Sequence, residues 1–196
     1  MTLHPILRQQ WFPRNAPIEG AIPYLYLDTK GLVTTALGLM LPNIAAAEKL
    51  PWLTRDGSPA TPEAIDAAFR TVHAMPAGRT ASYYASATTI RLTQGAMEAS
   101  ALATLDEYAG DLAGRFPAFG DWPAAAQFAT CSMAWALGPW FHWQHWQAAV
   151  EAQDWATAAI ECVFAHPVGT QVQRQRMNVA MFQFAAAGGD AEGLPA

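Results

Sequence analysis

The alternation of apolar and polar positions changes its period twice along this chain. Up to about Pro17 the apolar residues are interrupted by Pro5, Pro13 and Pro17, so any helix there is expected to be short. Residues 24–38 (YLYLDTKGLVTTALG) then take a strand-like rhythm. Two β-prone runs, Tyr24–Leu27 and Leu32–Thr35, flank Asp28-Thr29-Lys30-Gly31, which reads as a small β-hairpin with Gly31 free to take positive φ. Tyr24 and Tyr26 alternate with Leu25 and Leu27, so the two tyrosines share one face of that hairpin.

Beyond the hairpin the period becomes helical almost throughout. Asn43 is placed to cap a short helix to about Leu50, and residues 51–60 form a turn-rich loop. Thr61-Pro62-Glu63 supplies a cap, an N1 proline and a first-turn acid for a helix to Ala74. Residues 76–92 read as loop with room for a strand fragment. Thr93 opens a long helix to about Gly114, and Asp121-Trp122-Pro123 opens another that stops at Leu137-Gly138-Pro139. A short helix near Trp143–Ala152 follows, then one from Asp154 to about Ala165, a break at His166-Pro167-Val168-Gly169, and a last helix from Gln171 to about Ala186. The expected fold class is mainly α (α+β): a small hairpin lobe at about 15–60, a larger helical lobe at about 93–187, a ligand cleft between them, and a loose tail at 188–196. Residues 1–187 are expected to form a single domain.

Composition narrows the function. The chain has 196 residues, 52% of them hydrophobic, enough for a core and against global disorder. A formal net charge of −5 argues against nucleic acid as partner, because phosphate binding needs a basic face, although a local basic cleft is compatible with an acidic total. No apolar run is long enough to span or insert in a membrane, and the start MTLHPILRQQWFPRN lacks the apolar core of a signal peptide. Cys131 and Cys162 read as two buried thiols. His142 and His145 lack further ligands at matching spacing, so neither a metal nor a cofactor is expected.

Candidate chemistry concentrates at the hairpin. Hydrolysis of a glycosidic bond needs an acid for the leaving oxygen and a carboxylate that activates water or traps the sugar cation. Glu19, before Gly20, and Asp28, at the tip of the first hairpin strand, are nine residues apart; Thr34 follows on the returning strand, where its hydroxyl can hold water. From residue types alone, Asp28 reads equally as a turn residue bonded to its own backbone, and Glu19 as a solvated helix end. The aromatic cluster Trp135, Trp140, Phe141, Trp143 and Trp146 reads as core before sugar platform, Arg174 and Arg176 as solvated charges on the last helix, and Lys30 as a solvated turn residue. Ser132 lacks the G-x-S-x-G turn of a nucleophile.

The ordered set Glu19-Gly20, Tyr24, Asp28, Gly31, Thr34 and Gly38 resembles the active-site signature of phage-type lysozymes, glycoside hydrolase family 24. More weakly, FATCSMAWALG (Phe128–Gly138) resembles that family's buried central helix, DWATAAIEC (Asp154–Cys162) the helix after it, and QRQRMNVAMF (Gln173–Phe182) its closing Arg-rich helix. YLDTKGLVTT is similar to a branch of lysozyme-like proteins from phages and bacterial toxin systems. The resemblance implies a two-lobed lysozyme fold and a muramidase that cleaves the β-1,4 link between N-acetylmuramic acid and N-acetylglucosamine of peptidoglycan glycan strands. It implies Glu19 as general acid with a pKa raised by partial burial, Asp28 as the ionised base, and Thr34 as the residue that places water, with Tyr24, Tyr26 and Gly38 on the substrate. It also implies inversion, with carboxyl groups roughly 6.5–9.5 Å apart.

Two positions depart from that signature. Ala36 stands where the family has a first glycine, and Leu39 where it has His or Asn. Ala resists positive φ, so a lysozyme-fold protein that binds wall glycan with weak or lost turnover is the rival expectation, and a glycosidase of chitin-like polymers is another. A protein made in the cytoplasm would need a holin, a virion or a secretion machine to reach the wall, and an immunity protein would accompany a toxin role.

Overall fold

The computed structural model describes residues 3–195, and the chain divides into two compact units. One holds residues 15–101; the other holds the residues up to Arg14 together with those from Leu102 onward. The fold is mainly α with one small antiparallel sheet. The unit boundaries differ from expectation: residues 61–92 and the first turns of the long helix belong with the hairpin, and the N-terminal residues belong with the helical unit. No helix among the described residues is long and apolar enough to cross a membrane.

In the unit of residues 15–101, β1 (Ile22–Leu27), β2 (Val33–Ala36) and β3 (Leu39–Met40) form a sheet in the order β1-β2-β3, all antiparallel. The third strand, which the pattern did not predict, continues β2 through a turn at Ala36-Leu37-Gly38, and Thr35 lies opposite Leu39. Helix α2 (Ile44–Glu48) starts where Asn43 accepts the amide of Ala46 at 3.0 Å. Helix α3 (Pro62–His73) has Thr61 as its cap and buries Ile65, Ala68, Phe69 and Val72, one stripe at helical spacing. The segment expected to be loop holds a 3₁₀ turn at Ala81–Tyr84, and the strand fragment is a backbone pairing of Arg91 with Leu53.

Helix α1 (Pro5–Glu19) corrects the expectation of a short first element. Pro5 sits at its first position, where a missing N–H costs nothing. Pro13 and Pro17 remove the bonds to the carbonyls of Gln9 and Pro13, but positions 9, 13 and 17 all lie on the exposed side, where water takes those carbonyls. The opposite side buries Leu7, Trp11, Asn15 and Ile18. The apolar face therefore holds the helix through two prolines that the local rule reads as stops.

In the helical unit, α4 (which begins in the other unit; Gln94–Arg115) buries Leu105, Ala109 and Leu112, and Phe116 just beyond its end is buried as well. Helix α5 (Ala124–Leu137) is buried at every residue from Ala124 to Ala134 and ends at Gly138, φ 83°. Its small side chains let α8 (Thr170–Ala186) approach closely. Between them run α6 (Gln144–Glu151) and α7 (Trp155–Glu161), the latter capped by Asp154 and four residues shorter than expected.

Arg174 also departs from expectation. It is 2% exposed, and Nη1 donates to the Ser132 carbonyl at 2.9 Å and to the Ser132 hydroxyl at 2.6 Å. The small Ser132 on α5 leaves space for the guanidinium, so one of the two arginines taken as solvated joins α8 to α5. Phe141 and Trp146 are buried as expected of core, whereas Trp140 is 66% exposed. Cys131 and Cys162 are free, buried thiols whose pKa values burial pushes up. The tail, expected to be loose, is held at two points: Ala191 accepts the amide of Ala124 at 2.7 Å, and Pro195 accepts from Arg14 at 2.6 Å.

The exposed side of α1 gives a direct test. Replacing Pro13 with Ala restores the bond to Gln9 without touching the buried face, and is expected to raise stability by up to about 3 kcal/mol, read from the urea midpoint at unchanged slope.

Candidate active site

Helix α1 ends at Glu19, and Gly20 takes φ 78° with its amide on the Ala16 carbonyl, which turns the chain into β1. Glu19 is half-buried. Along β1, Leu25 and Leu27 are buried while Tyr24 and Tyr26 are half-open, and Asp28 follows on the half-open side. An irregularity in the pairing between Ile22 and Tyr26 precedes a regular register in which Tyr26 lies directly opposite Thr34 and Leu27 opposite Val33. Directly opposed residues project to one face, so Tyr26 and Thr34 share it.

Asp28 closes the hairpin. Its Oδ1 accepts the amides of Lys30 at 2.9 Å and Leu32 at 2.8 Å, its backbone amide donates to the Leu32 carbonyl at 2.9 Å, and Gly31 at φ 78° completes the turn. One carboxylate oxygen thus holds the turn, and the other has no hydrogen-bond partner among the described residues. Thr34 is 2% exposed and its hydroxyl donates to the Leu32 carbonyl at 3.0 Å. As a donor it is already committed; what it offers a further partner is an oxygen lone pair.

Tyr26 ties these groups together. Its pKa is pushed up from 10.0 to about 12, chiefly by burial, then by the negative charge of Asp28, then by that of Glu19. Two carboxylates from different elements therefore act on one phenol, and Thr34 stands opposite that phenol's residue. Tyr24, on the same strand, carries the guanidinium of Arg91 over its ring, 4.9 Å from the centroid. Arg91 was not singled out from the sequence. Its only signal there is a charge between two buried apolar neighbours, Ile90 and Leu92.

The turn after β2 shows how the departures from the lysozyme signature are accommodated. Ala36 adopts φ 50° although it is not glycine, and it is fully buried. Gly38, at φ 80°, has open space where a Cβ would stand, so its own constraint is backbone conformation and not crowding. Leu39 is half-buried beside it. The Ala side chain has not prevented the left-handed turn; it has made it more costly. Among the described residues no cluster of His, Cys, Asp or Glu is suited to hold a metal ion.

Two measurements follow from this geometry. In Glu19→Gln and Asp28→Asn proteins the Tyr26 titration, followed by NMR, is expected to move down from about 12 towards 10.0, further for Asp28; an unmoved titration would separate the acids from the phenol. Because the folded value lies above the ordinary one, the stability linked to Tyr26 is complete below pH 10.0 and is lost as pH rises towards 12, a window that should narrow in both variants. Ala36→Gly, in turn, relieves a left-handed alanine and is expected to raise stability by about 1 kcal/mol in chemical denaturation, opposite in sign to an ordinary Ala-to-Gly change.

Compared with family models, with curated proteins and with solved structures, the chain matches none of them.

Proposed function

We propose that this protein is a peptidoglycan hydrolase, a muramidase that cleaves the β-1,4 link between N-acetylmuramic acid and N-acetylglucosamine with inversion. The observation that carries the reading is that the charges of Asp28 and Glu19 both act on the Tyr26 phenol, with Thr34 paired to Tyr26 across the two strands. Two acids held on separate elements beside a half-open tyrosine face supply what glycoside hydrolysis requires.

In this mechanism Glu19 gives its proton to the glycosidic oxygen as the bond from the sugar's anomeric carbon to that oxygen breaks. A water on the opposite face of the ring loses a proton to the unengaged oxygen of Asp28 while its oxygen bonds the anomeric carbon. Asp28 then releases its proton to solvent and Glu19 regains one. Thr34 accepts a hydrogen bond from the water, a role that fits a hydroxyl whose own proton is held by Leu32. Tyr24 and Tyr26 present their rings to the sugar, and Gly38 keeps the β2–β3 turn free of a side chain. The turn-closing hydrogen bonds of Asp28 fix its carboxylate so that the oxygen at work does not need to be oriented during the reaction.

A second reading, a lysozyme-fold protein that binds wall glycan without turning it over, is favoured by the burial of Thr34 and the engagement of one Asp28 oxygen in the turn. Purified peptidoglycan with mass analysis of the products decides between them. Reducing-end muramic sugars are expected from the unaltered protein. Glu19→Gln is expected to lower the rate by about a hundred- to ten-thousand-fold with the fold kept, and Asp28→Asn to lower it strongly as well. Binding without release of sugar ends would favour the second reading, cleavage of chitin oligomers alone would change the substrate, and peptide fragments would overturn glycan cleavage altogether.

A further inference from the structure

Arg91 is built into the same unit as the hairpin by backbone pairing on both sides. Its amide and carbonyl bond Leu53 in both directions at 2.8 Å, and the next amide, of Leu92, bonds the Pro23 carbonyl at 2.8 Å. This fixes the residue beside β1 and sets its guanidinium over Tyr24. Nη1 donates to the Thr88 carbonyl at 2.8 Å, the Thr88 hydroxyl at 3.3 Å and the Ile90 carbonyl at 2.6 Å, and Nη2 donates to the Ala85 carbonyl. Every acceptor is neutral, and no carboxylate among the described residues forms an ion pair with Arg91.

A guanidinium carries N–H donors on all three nitrogens in a rigid fork. The bonds to Thr88, Ile90 and Ala85 use Nη1 and one hydrogen of Nη2. Nε–H, which bonds no acceptor among the described residues, and the remaining Nη2–H are left for a ligand, and a guanidinium can meet a carboxylate with two donors. Arg55, exposed on the turn that follows Leu53, is close enough for its charge to act on Arg91. The acid beside it in sequence, Asp56, is engaged by the Thr54 hydroxyl and the Ser58 amide. In a chain of net charge −5, two neighbouring cations facing no ion-pair partner are an anion site in waiting.

We propose that Arg91, with Arg55 beside it, forms a carboxylate-binding subsite that selects glycan strands bearing acidic groups over neutral ones. The inference rests on the muramidase reading and names what that site prefers. Tyr24 precedes Asp28 by four residues, roughly 13 Å at about 3.3 Å per residue, so the subsite grips the strand away from the bond that breaks. Two wall groups have the required chemistry: the lactyl carboxylate of a muramic residue that has lost its peptide, and the free carboxylates of an attached stem peptide. Chitin-type polymers have neither.

Equilibrium binding to the full chain carrying Glu19→Gln, at low salt, tests this with three glycans of equal length: a chitin oligomer, a peptide-free muramic strand and a peptide-bearing strand. At least one carboxylate-bearing strand is expected to bind about tenfold tighter than the chitin oligomer, a preference that added salt weakens. Which of the two gains the preference identifies the lactyl or the peptide source. Arg91→Lys keeps the charge but loses the fork, and Arg55→Ala alters an exposed side chain; each is expected to remove most of the preference, and Arg55→Ala to do so with chitin binding unchanged. Equal affinity for all three glycans, a preference that survives both substitutions, or equal weakening towards all three would overturn the subsite. Failure of the muramidase reading is separate: the unaltered protein would then keep the preference and release no muramic reducing ends.

Discussion

The two amide bonds that Asp28 Oδ1 accepts from Lys30 and Leu32 set the register on which the candidate site depends. They close the hairpin at a fixed length, and that length puts Tyr26 opposite Thr34. A slip of one residue would turn Leu25 and Leu27 outward and bury the tyrosines, because side chains in a strand alternate. The same carboxylate thus has a structural task at one oxygen and, in the proposed mechanism, a chemical one at the other. That division gives the proposed base a fixed orientation, and it also means that changing Asp28 disturbs the hairpin as well as any reaction it serves.

Much of this was legible in the sequence where one local rule governed. The hairpin, the caps at Asn43, Thr61 and Asp154, and the stop at Gly138 follow from turn chemistry and capping that act over a few residues. The pairing that sets Thr34 on the strand beside Asp28 was expected from the hairpin, and the shared tyrosine face from alternation. The misreadings share a different cause. Pro13 and Pro17 stop a helix only if their orphaned carbonyls lack water, and that depends on which side of α1 is buried. Arg174 looks solvated until Ser132 on another helix gives it acceptors. Arg91 is defined by partners at Leu53, Pro23 and Tyr24, far from it in the chain. Each case required tertiary contacts that a local pattern does not contain.

Ala36 illustrates how local cost and global shape are balanced. A left-handed alanine is unfavourable by about 1–2 kcal/mol, yet its burial and the paired strands on either side over-determine the turn. The backbone that a glycine would adopt freely is imposed here by its surroundings. The alanine therefore raises the energy of the turn without preventing it.

Tyr26 brings the electrostatics of the site to one point. Ionisation of this phenol would add a negative charge opposing that of Asp28, the carboxylate proposed to act in its ionised form. Burial, and after it the charges of Asp28 and Glu19, move its titration up to about 12. Tyr26 therefore presents a neutral hydroxyl, able to donate as well as accept. Further along the strand, Arg91 supplies the opposite sign over Tyr24. The half-open face of β1 therefore has a cation at Tyr24 and a carboxylate at Asp28, and under the proposed reading a polymer with anionic substituents and a neutral scissile bond complements that order.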